Sequence, residues 1–437
     1  MVWLTAPASA QSPLDVTTSR DSARRNLDDS FRQVLRNPGD MGANRGYADA
    51  LVDAGEYEKA IATLERVLIT DPSQTAVRVE IGALYFRLGS YETARAYFRR
   101  ALEESSLPAD LRARVEQYLA DINERLSAHQ FTGFATTGAR WNENANTGPN
   151  STLLRSSGIN VPRPTSTSPQ SDYSFFGAGR VQHSYDLDTQ NEAKIVTTGL
   201  GYGNAFTRFS HQDLLLGEIT TGVRFKPAPL DASNFQIRPH VIGNYVSLDG
   251  DRYADTIGFG VDMQQAWTDN LVSELIFEFR HAAYGNIPRL GDTFNQTGDE
   301  KVVKLRTAYE FNPAHLLVGD FVFRSAASKR AYYDVDQYGI VVTYSYTFAA
   351  PAQLTEQSWN LSPYVSWYNR GYGGPDPTVD PRTTRNDDEV RLGLIHNIPF
   401  ADGWLLYQQV EHTWGNSNIP NYDYQDTAVV VGVTRRF

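Results

Sequence analysis

The chain has 437 residues, no cysteine, 12% aromatic and 21% charged residues, and a formal net charge of −11. Its pI is near 5.3 and its mean hydropathy is −0.43. The acidic balance argues against nucleic acid as a partner, and the lack of cysteine excludes disulfides, thiolate metal sites and cysteine nucleophiles. No stretch approaches the ~18–20 consecutive apolar residues of a transmembrane helix, but a membrane β-barrel, whose signal is alternation, stays open.

Residues 1–11 read MVWLTAPASAQ, and Ala8-Ser9-Ala10 before Gln11 has the small-x-small form of a signal-peptidase site. No basic segment precedes it and the apolar run is short. We expect residues 1–18 to be a signal-peptide remnant with a disordered N-terminus, and the chain to be exported.

Residues 19–129 are expected to form an all-α domain, and a repeat runs through them. Gly55-Glu56-Tyr57 returns as Gly89-Ser90-Tyr91, Ala60 as Ala94, Leu64 as Phe98, Val67 as Ala101 and Leu68 as Leu102. The offset of ~34 residues is that of the helix-turn-helix tetratricopeptide unit, which this region resembles over about 41–106. Gly55 and Gly89 fall where one helix must turn sharply into the next, a place for positive φ. Ala60 and Ala94 allow close helix crossing, and Leu64 and Phe98 fill the groove. Asp71-Pro72 ends the first unit. Further helices are expected at 19–36 and 108–127.

From Phe131 the period changes to 2, and residues 130–437 are expected to form an antiparallel transmembrane β-barrel. Val429, Val431, Val433 and Phe437 share one face of the last segment, against Ala428, Gly432, Thr434 and Arg436. In 271–280, Leu275, Phe277 and Phe279 oppose Glu274, Glu278 and Arg280. A soluble sandwich also alternates, but its strands average ~5–6 residues and do not carry aromatic bands at their ends. We expect fourteen strands: 131–141, 173–187, 192–206, 210–226, 235–248, 252–267, 270–284, 300–312, 315–327, 332–348, 357–370, 386–398, 403–415 and 424–437. The long polar connections 142–172, 285–299 and 371–385 then share one end of the barrel, as long external loops should. Glu274, Glu278, Arg280, Lys304, Arg306 and Glu310 are expected to line a wet lumen carrying both signs of charge.

No enzyme, metal or cofactor site is expected. None of the eight histidines pairs with another at metal-ligand spacing. Alternation puts Glu411 and His412 on opposite faces, with His412 beside Trp414 on the lipid side. Asn142 to Pro149 (NENANTGP) reads as a turn.

Helical repeats leading into fourteen strands, Arg140-Trp141-Asn142-Glu143-Asn144-Ala145-Asn146 at the end of the first strand, and a closing Phe437 together resemble the surface lipoprotein assembly modulators, or type XI secretion translocators. That resemblance implies an outer-membrane barrel that acts as a monomer in contact with lipid, with its helical domain in the periplasm of a Gram-negative bacterium. It implies transport of a client protein or lipoprotein to the surface, with a periplasmic chaperone as a further partner. Tyr57, Tyr85 and Tyr91 are the candidates for client binding. A barrel seam is expected between the first and last strands at Gly133, Gly138, Gly432 and Phe437, where glycine should weaken packing. Cysteines at Thr136 and Val431 are expected to span it. Exopolysaccharide export porins share the plan but carry more repeats; they would need sugar-stacking aromatics such as Tyr364, Tyr368 and Tyr407 in the lumen. An ordinary diffusion porin is the remaining alternative.

Overall fold

The computed structural model describes residues 26–104, 107–227, 234–291, 293–355 and 357–437. The leader-like stretch 1–18 and the start of the helix expected from residue 19 lie outside the described residues. The chain divides into a helical unit ending at Ala128 and a unit beginning at His129.

The helical unit contains α1 (26–36), α2 (Met41–Asp53), α3 (Tyr57–Thr70), α4 (Thr75–Arg87), α5 (Tyr91–Glu103) and α6 (Ala109–Arg125). Asp40 caps α2, its carboxylate accepting from the Gly42 and Ala43 amides at 2.8 and 3.2 Å. Gly55 and Gly89 take φ of 78° and 76° at the two turns, as the repeat requires. Ala60, Ala94, Phe98 and Ala101 are fully buried, and Leu64 and Val67 nearly so. These equivalent positions build two apolar clusters, one centred on α2–α4 and one on α4–α6. A Cβ on Gly82 would lie 2.8 Å from the Phe98 ring, so α4 carries glycine where that ring crosses it. No helix among the described residues is long and apolar enough to cross a membrane.

The second unit is a closed antiparallel barrel. Its wall runs β1 (His129–Asn142), β4 (Asp172–Asp186), β5 (Lys194–Phe206), β6 (Leu214–Arg224), β7 (Phe235–Leu248), β8 (Asp251–Thr268), β9 (Leu271–Tyr284), β10 (Gly298–Asn312), β11 (His315–Ala326), β12 (Val335–Phe348), β13 (Trp359–Pro375), β14 (Thr384–Ala401), β15 (Trp404–Ser417) and β16 (Tyr424–Arg436). β16 pairs back onto β1, which makes fourteen wall strands. A small hairpin, β2 (Leu153–Ser156) with β3 (Ile159–Pro162), stands in the first connection, which the sequence reading leaves as a plain loop. His129 belongs to β1, one residue before the expected boundary, because it pairs with Tyr185.

Wall strands of 11 to 18 residues exceed the ~9–11 that a tilted strand needs to cross a bilayer. Their outward face is apolar: Ile219, Val241, Ile257, Phe259, Phe277, Ile340, Leu392 and Val431 are all exposed. Large rings gather toward the strand ends. Phe131, Trp267, Phe311, Trp404 and Phe437 lie at the end with the two-residue turns 269–270, 313–314 and 402–403. Tyr173 and Trp414 lie toward the end with the long connections. Several wall strands differ from the expected bounds by a few residues at an end: 210–212 and 331–333 coil into short 3-10 turns, β13 runs on to Pro375 and β14 spans Thr384–Ala401.

Candidate functional site in the barrel interior

Side chains that bridge strands which are not neighbours must lie on the concave face. Arg280 on β9 reaches Glu218 on β6 at 2.9 Å and Glu278 on its own strand at 2.9 Å. Lys304 on β10 lies 3.4 Å from Glu278. Arg306 pairs with Asp320 at 2.7 Å. His240, buried on β7, stands between Asp262 at 3.4 Å and Glu278 at 3.9 Å. Glu274 faces Arg238, Arg306 and Arg224, with Asp262 as a neighbouring like charge. The structure thus brings together five of the six expected lumen charges. Glu310 is apart from them, exposed at the end of β10 where the register shifts, with no ion pair among the described residues.

A second network crosses the closing strands. Buried Glu411 on β15 accepts from the Tyr364 hydroxyl on β13 and pairs with Arg140 on β1 at 3.5 Å. Buried Glu389 on β14 pairs with Arg370 at 3.1 Å and accepts from Arg391 at 2.8 Å and the Tyr424 hydroxyl at 3.0 Å. Removing one partner from such a group costs far more than the pair itself contributes, so these networks fix the wall. His412 takes the other face, against Trp414 at 4.3 Å between ring centres, with its Nδ1 2.9 Å from the Thr427 hydroxyl.

The interior tyrosines lie flat on glycines of the adjacent strand, a relation the sequence reading missed. Tyr364 is opposite Gly393, Tyr368 opposite Gly339 and Tyr424 opposite Gly415. A Cβ on any of these glycines would fall 2.3–2.4 Å from the ring. The signal available in sequence was an inward Tyr paired with an inward Gly, which needs the register to read. Tyr364 therefore has one ring face covered and its hydroxyl engaged, and it is not a free sugar-stacking platform. Tyr407 is held the same way at its hydroxyl, which bonds Gln409.

The expected seam is closed. β1 and β16 pair from Phe134 with Arg436 to Asn142 with Ala428. The ladder continues through Gly133 N to Phe437 O at 2.8 Å and Phe437 N to Gly133 O at 3.1 Å. Gly138 faces Gly432 directly, and Cβ atoms there would meet Val431 O at 2.3 Å and Thr137 O at 2.7 Å. A Cβ on Gly133 would lie 2.8 Å from the Phe437 ring. Contrary to the expected weakening, these glycines permit a close approach of the strands. Thr136 is opposite Thr434, with hydroxyls 2.8 Å apart, while Val431 is opposite Ala139.

Inside the barrel, against β1, β4, β15 and β16, lies a cavity of about 610 Å³. Arg140, Arg180 and Arg436 line it with Phe134, Phe176, Tyr202, Val430 and Phe437, and no Asp or Glu is among its lining residues.

At the opposite end three connections interlock. Ser157 and Gly158 of the β2–β3 hairpin donate to Thr378 O and Val379 O, both at 2.9 Å. Asn421 Oδ1 accepts from the Arg155 amide at 2.7 Å. Asn144 holds its own turn by bonds to Gly148 N at 2.7 Å and Gly148 O at 2.9 Å, and its amide donates to Asp426 at 2.9 Å. NENANTGP is thus a built turn anchored on β16.

The repeat tyrosines occupy packing positions. Tyr57 and Tyr91 open α3 and α5 and lie against the apolar clusters, and Tyr85 stacks on Tyr97 at 5.5 Å. All three are half-buried. Arg125 donates to the Tyr91 hydroxyl at 3.1 Å. Glu65 accepts from Tyr97 at 2.9 Å and Tyr85 at 3.3 Å. Burial first, and then this bond to a carboxylate, pushes the Tyr97 phenol up to about 12.

One histidine pair escapes any spacing rule. His129 Nδ1 and His183 Nε2 lie 2.9 Å apart across β1 and β4, beside Phe131. Among the described residues no group of three or more His, Asp or Glu side chains is placed to hold a metal ion.

The tetratricopeptide repeat family model matches residues 20–75 and 47–109. No curated protein matches the chain in sequence. Among solved structures, an anion-selective porin from Comamonas acidovorans is 10% identical, with 71% of this chain and 99% of that one covered and a TM-score of 0.36. An outer membrane channel from Pseudomonas putida F1 is 12% identical, with 70% and 95% covered and a TM-score of 0.38. The Yersinia enterocolitica type III secretion chaperone SycD is 16% identical, with 26% and 96% covered and a TM-score of 0.22. Likenesses this distant identify no activity; the chain carries tetratricopeptide repeats followed by a closed fourteen-stranded barrel.

Proposed function

We propose that this chain is an outer-membrane barrel that delivers a client protein or lipoprotein from periplasm to cell surface, and that it is not an enzyme. The observation that carries the reading is the fusion of a helical repeat stack to a barrel whose outward face is apolar and ringed by aromatics. Such an exterior suits a bilayer and its two interfaces. A repeat stack offers a surface for a client or chaperone, since stacked units bury a continuous core and leave an extended face. The β1–β16 ladder makes a lateral route costly, because opening it breaks every bond from Gly133 to Asn142.

Deleting the gene and shaving intact cells with protease tests the function. Specific surface proteins should disappear while their total cellular amounts hold; an unchanged protein surface would sink the translocation reading. Thr136→Cys with Thr434→Cys tests the route. These residues form a non-hydrogen-bonded pair, whose Cα atoms stand about 4.5 Å apart, within disulfide reach. Export that survives crosslinking assigns transport to the lumen.

One observation favours a second reading, diffusion of small solutes. The cavity inside the wall is lined by three guanidiniums and by no Asp or Glu side chain. Planar-bilayer conductance separates the readings: a steady open channel supports diffusion, and a closed one supports a gated translocator.

A further inference from the structure

We infer that the β2–β3 hairpin is a clasp across the barrel seam, a strap that has to lift before β1 and β16 can part. The connection that carries it, residues 143–171, has only to join β1 to β4, which are neighbours in the wall. A two-residue turn suffices for such a pair. Instead the hairpin reaches the other way round the wall, where the order from β1 is β16, β15, β14, β13. The Asn150 amide donates to Asp423 O at 2.8 Å, in the connection between β15 and β16. Asn421 in the same connection accepts from the Arg155 amide at 2.7 Å and donates to Arg155 O at 2.9 Å. One asparagine side chain thus pairs with β2 as a further strand would. The tip goes beyond both strands, to the connection 376–383 between β13 and β14.

The tip is where the hairpin is fastened. Ser157 and Gly158 take φ of 50° and 82°, the type I′ form, whose two central amides find no partner within the hairpin. Both are used here, donating at 2.9 Å to Thr378 O and Val379 O. Arg155 adds an ion pair with Asp380 at 3.6 Å. Asp380 is buried, and it also accepts from the Arg382 amide at 3.0 Å and the Thr383 hydroxyl at 3.2 Å. The receiving turn therefore holds its own shape. At the base of the connection, the Glu143 amide bonds Thr427 O and the Asn144 amide bonds Asp426, both at 2.9 Å. The hairpin is covalently part of the β1 side and is bonded to the β13–β16 side, so parting the strands at this end breaks the clasp as well as the ladder. Its contacts add to the free energy of local opening at the seam and not elsewhere. The clasp goes beyond the translocation reading and does not rest on it.

The test is hydrogen–deuterium exchange of the full-length protein in a maltoside detergent, read peptide by peptide. Exchange follows the population of the locally open state, so removing a contact that opposes opening raises the rate. Arg155→Ala combined with Asn421→Ala should speed exchange in peptides covering 139–144 and 426–432 by at least about tenfold, the loss expected for two neutral hydrogen bonds. Peptides from β7 and β8 should keep their rates. Arg289→Ala is the control: it cuts another pair between connections, with Asp249 and Asp251, and should leave the seam peptides unchanged. Seam peptides that do not respond would overturn the clasp. Equal acceleration round the whole wall would overturn it too, because that marks general destabilisation. Asn421→Ala alone should show the same selectivity at smaller amplitude, which decides the matter even where the double variant fails to fold.

Discussion

The helical unit and the barrel solve the same burial problem in opposite directions. In the repeats Leu64, Phe98 and Ala101 point inward and charge stays outside. In the barrel Ile257, Val431 and their kind face outward, while Glu389, Glu411 and Asp262 are among the buried groups. The helical unit is held by shape, and its critical positions are those where volume is matched, such as Gly82 under Phe98. The barrel is held by a continuous ladder, and its critical interior positions are those where a charge meets its partner. A substitution should therefore disturb only the unit whose logic it violates.

Phe98→Ala should have the largest effect. Emptying a fully buried aromatic position costs about 3–5 kcal/mol, enough to unfold the repeats, which far-UV circular dichroism reads as lost helix. The barrel's resistance to SDS at room temperature should be unchanged. Val431→Lys inverts the experiment. On the outward face near mid-strand it should cost about 2–4 kcal/mol and lower the SDS unfolding temperature. A lysine at Gln264, on the interior face opposite Glu274, should cost clearly less; equal costs would break the assignment of faces.

Gly393→Val should cost about 1–3 kcal/mol by overpacking, since the Tyr364 ring occupies the space. Its signature is specific: Tyr364→Ala in the Gly393→Val background should recover part of that cost by vacating the space, whereas Tyr364→Phe, which keeps the ring, should recover none. The smallest effect is a pH response confined to the repeats. The Tyr97 phenol is raised to about 12, so the fold favours the protonated form. That contribution is complete below the unfolded value near 10 and is lost as pH rises through 12. Tyr97→Phe should flatten helical-unit stability across that window, followed by chemical denaturation at fixed ionic strength.

Much of this was legible in the residues. The ~34-residue offset located both glycine turns and the buried series Ala60, Leu64, Val67. Period-2 alternation gave the faces of β9 and β16 and the number of wall strands, because each strand is long enough to average out local exceptions. Pairings across the sheet were not legible. Alternation fixes which face a residue takes but not which residue it meets, so Thr136 was matched to Val431 although Thr434 stands opposite. The Tyr–Gly contacts and the His129–His183 pair were hidden for the same reason. Seam glycines misled because a glycine marks both weak packing and close approach, and only the register shows which applies. The packing of Tyr57, Tyr85 and Tyr91 against the apolar clusters between helices was likewise not legible in the repeat pattern.

The ladder between β1 and β16 also has a temporal meaning. Every other wall pairing joins neighbours along the wall, and all but β1 with β4, which are separated by the β2–β3 hairpin, can zip as a local hairpin. Closure alone joins residues separated by about three hundred positions, Phe134 with Arg436. A contact of that span is the slowest to find and is the step that removes both free edges at once. Until it forms, the nascent wall is an open sheet with two sticky margins. Assembly is therefore decided at the seam, where both margins stay open until they meet.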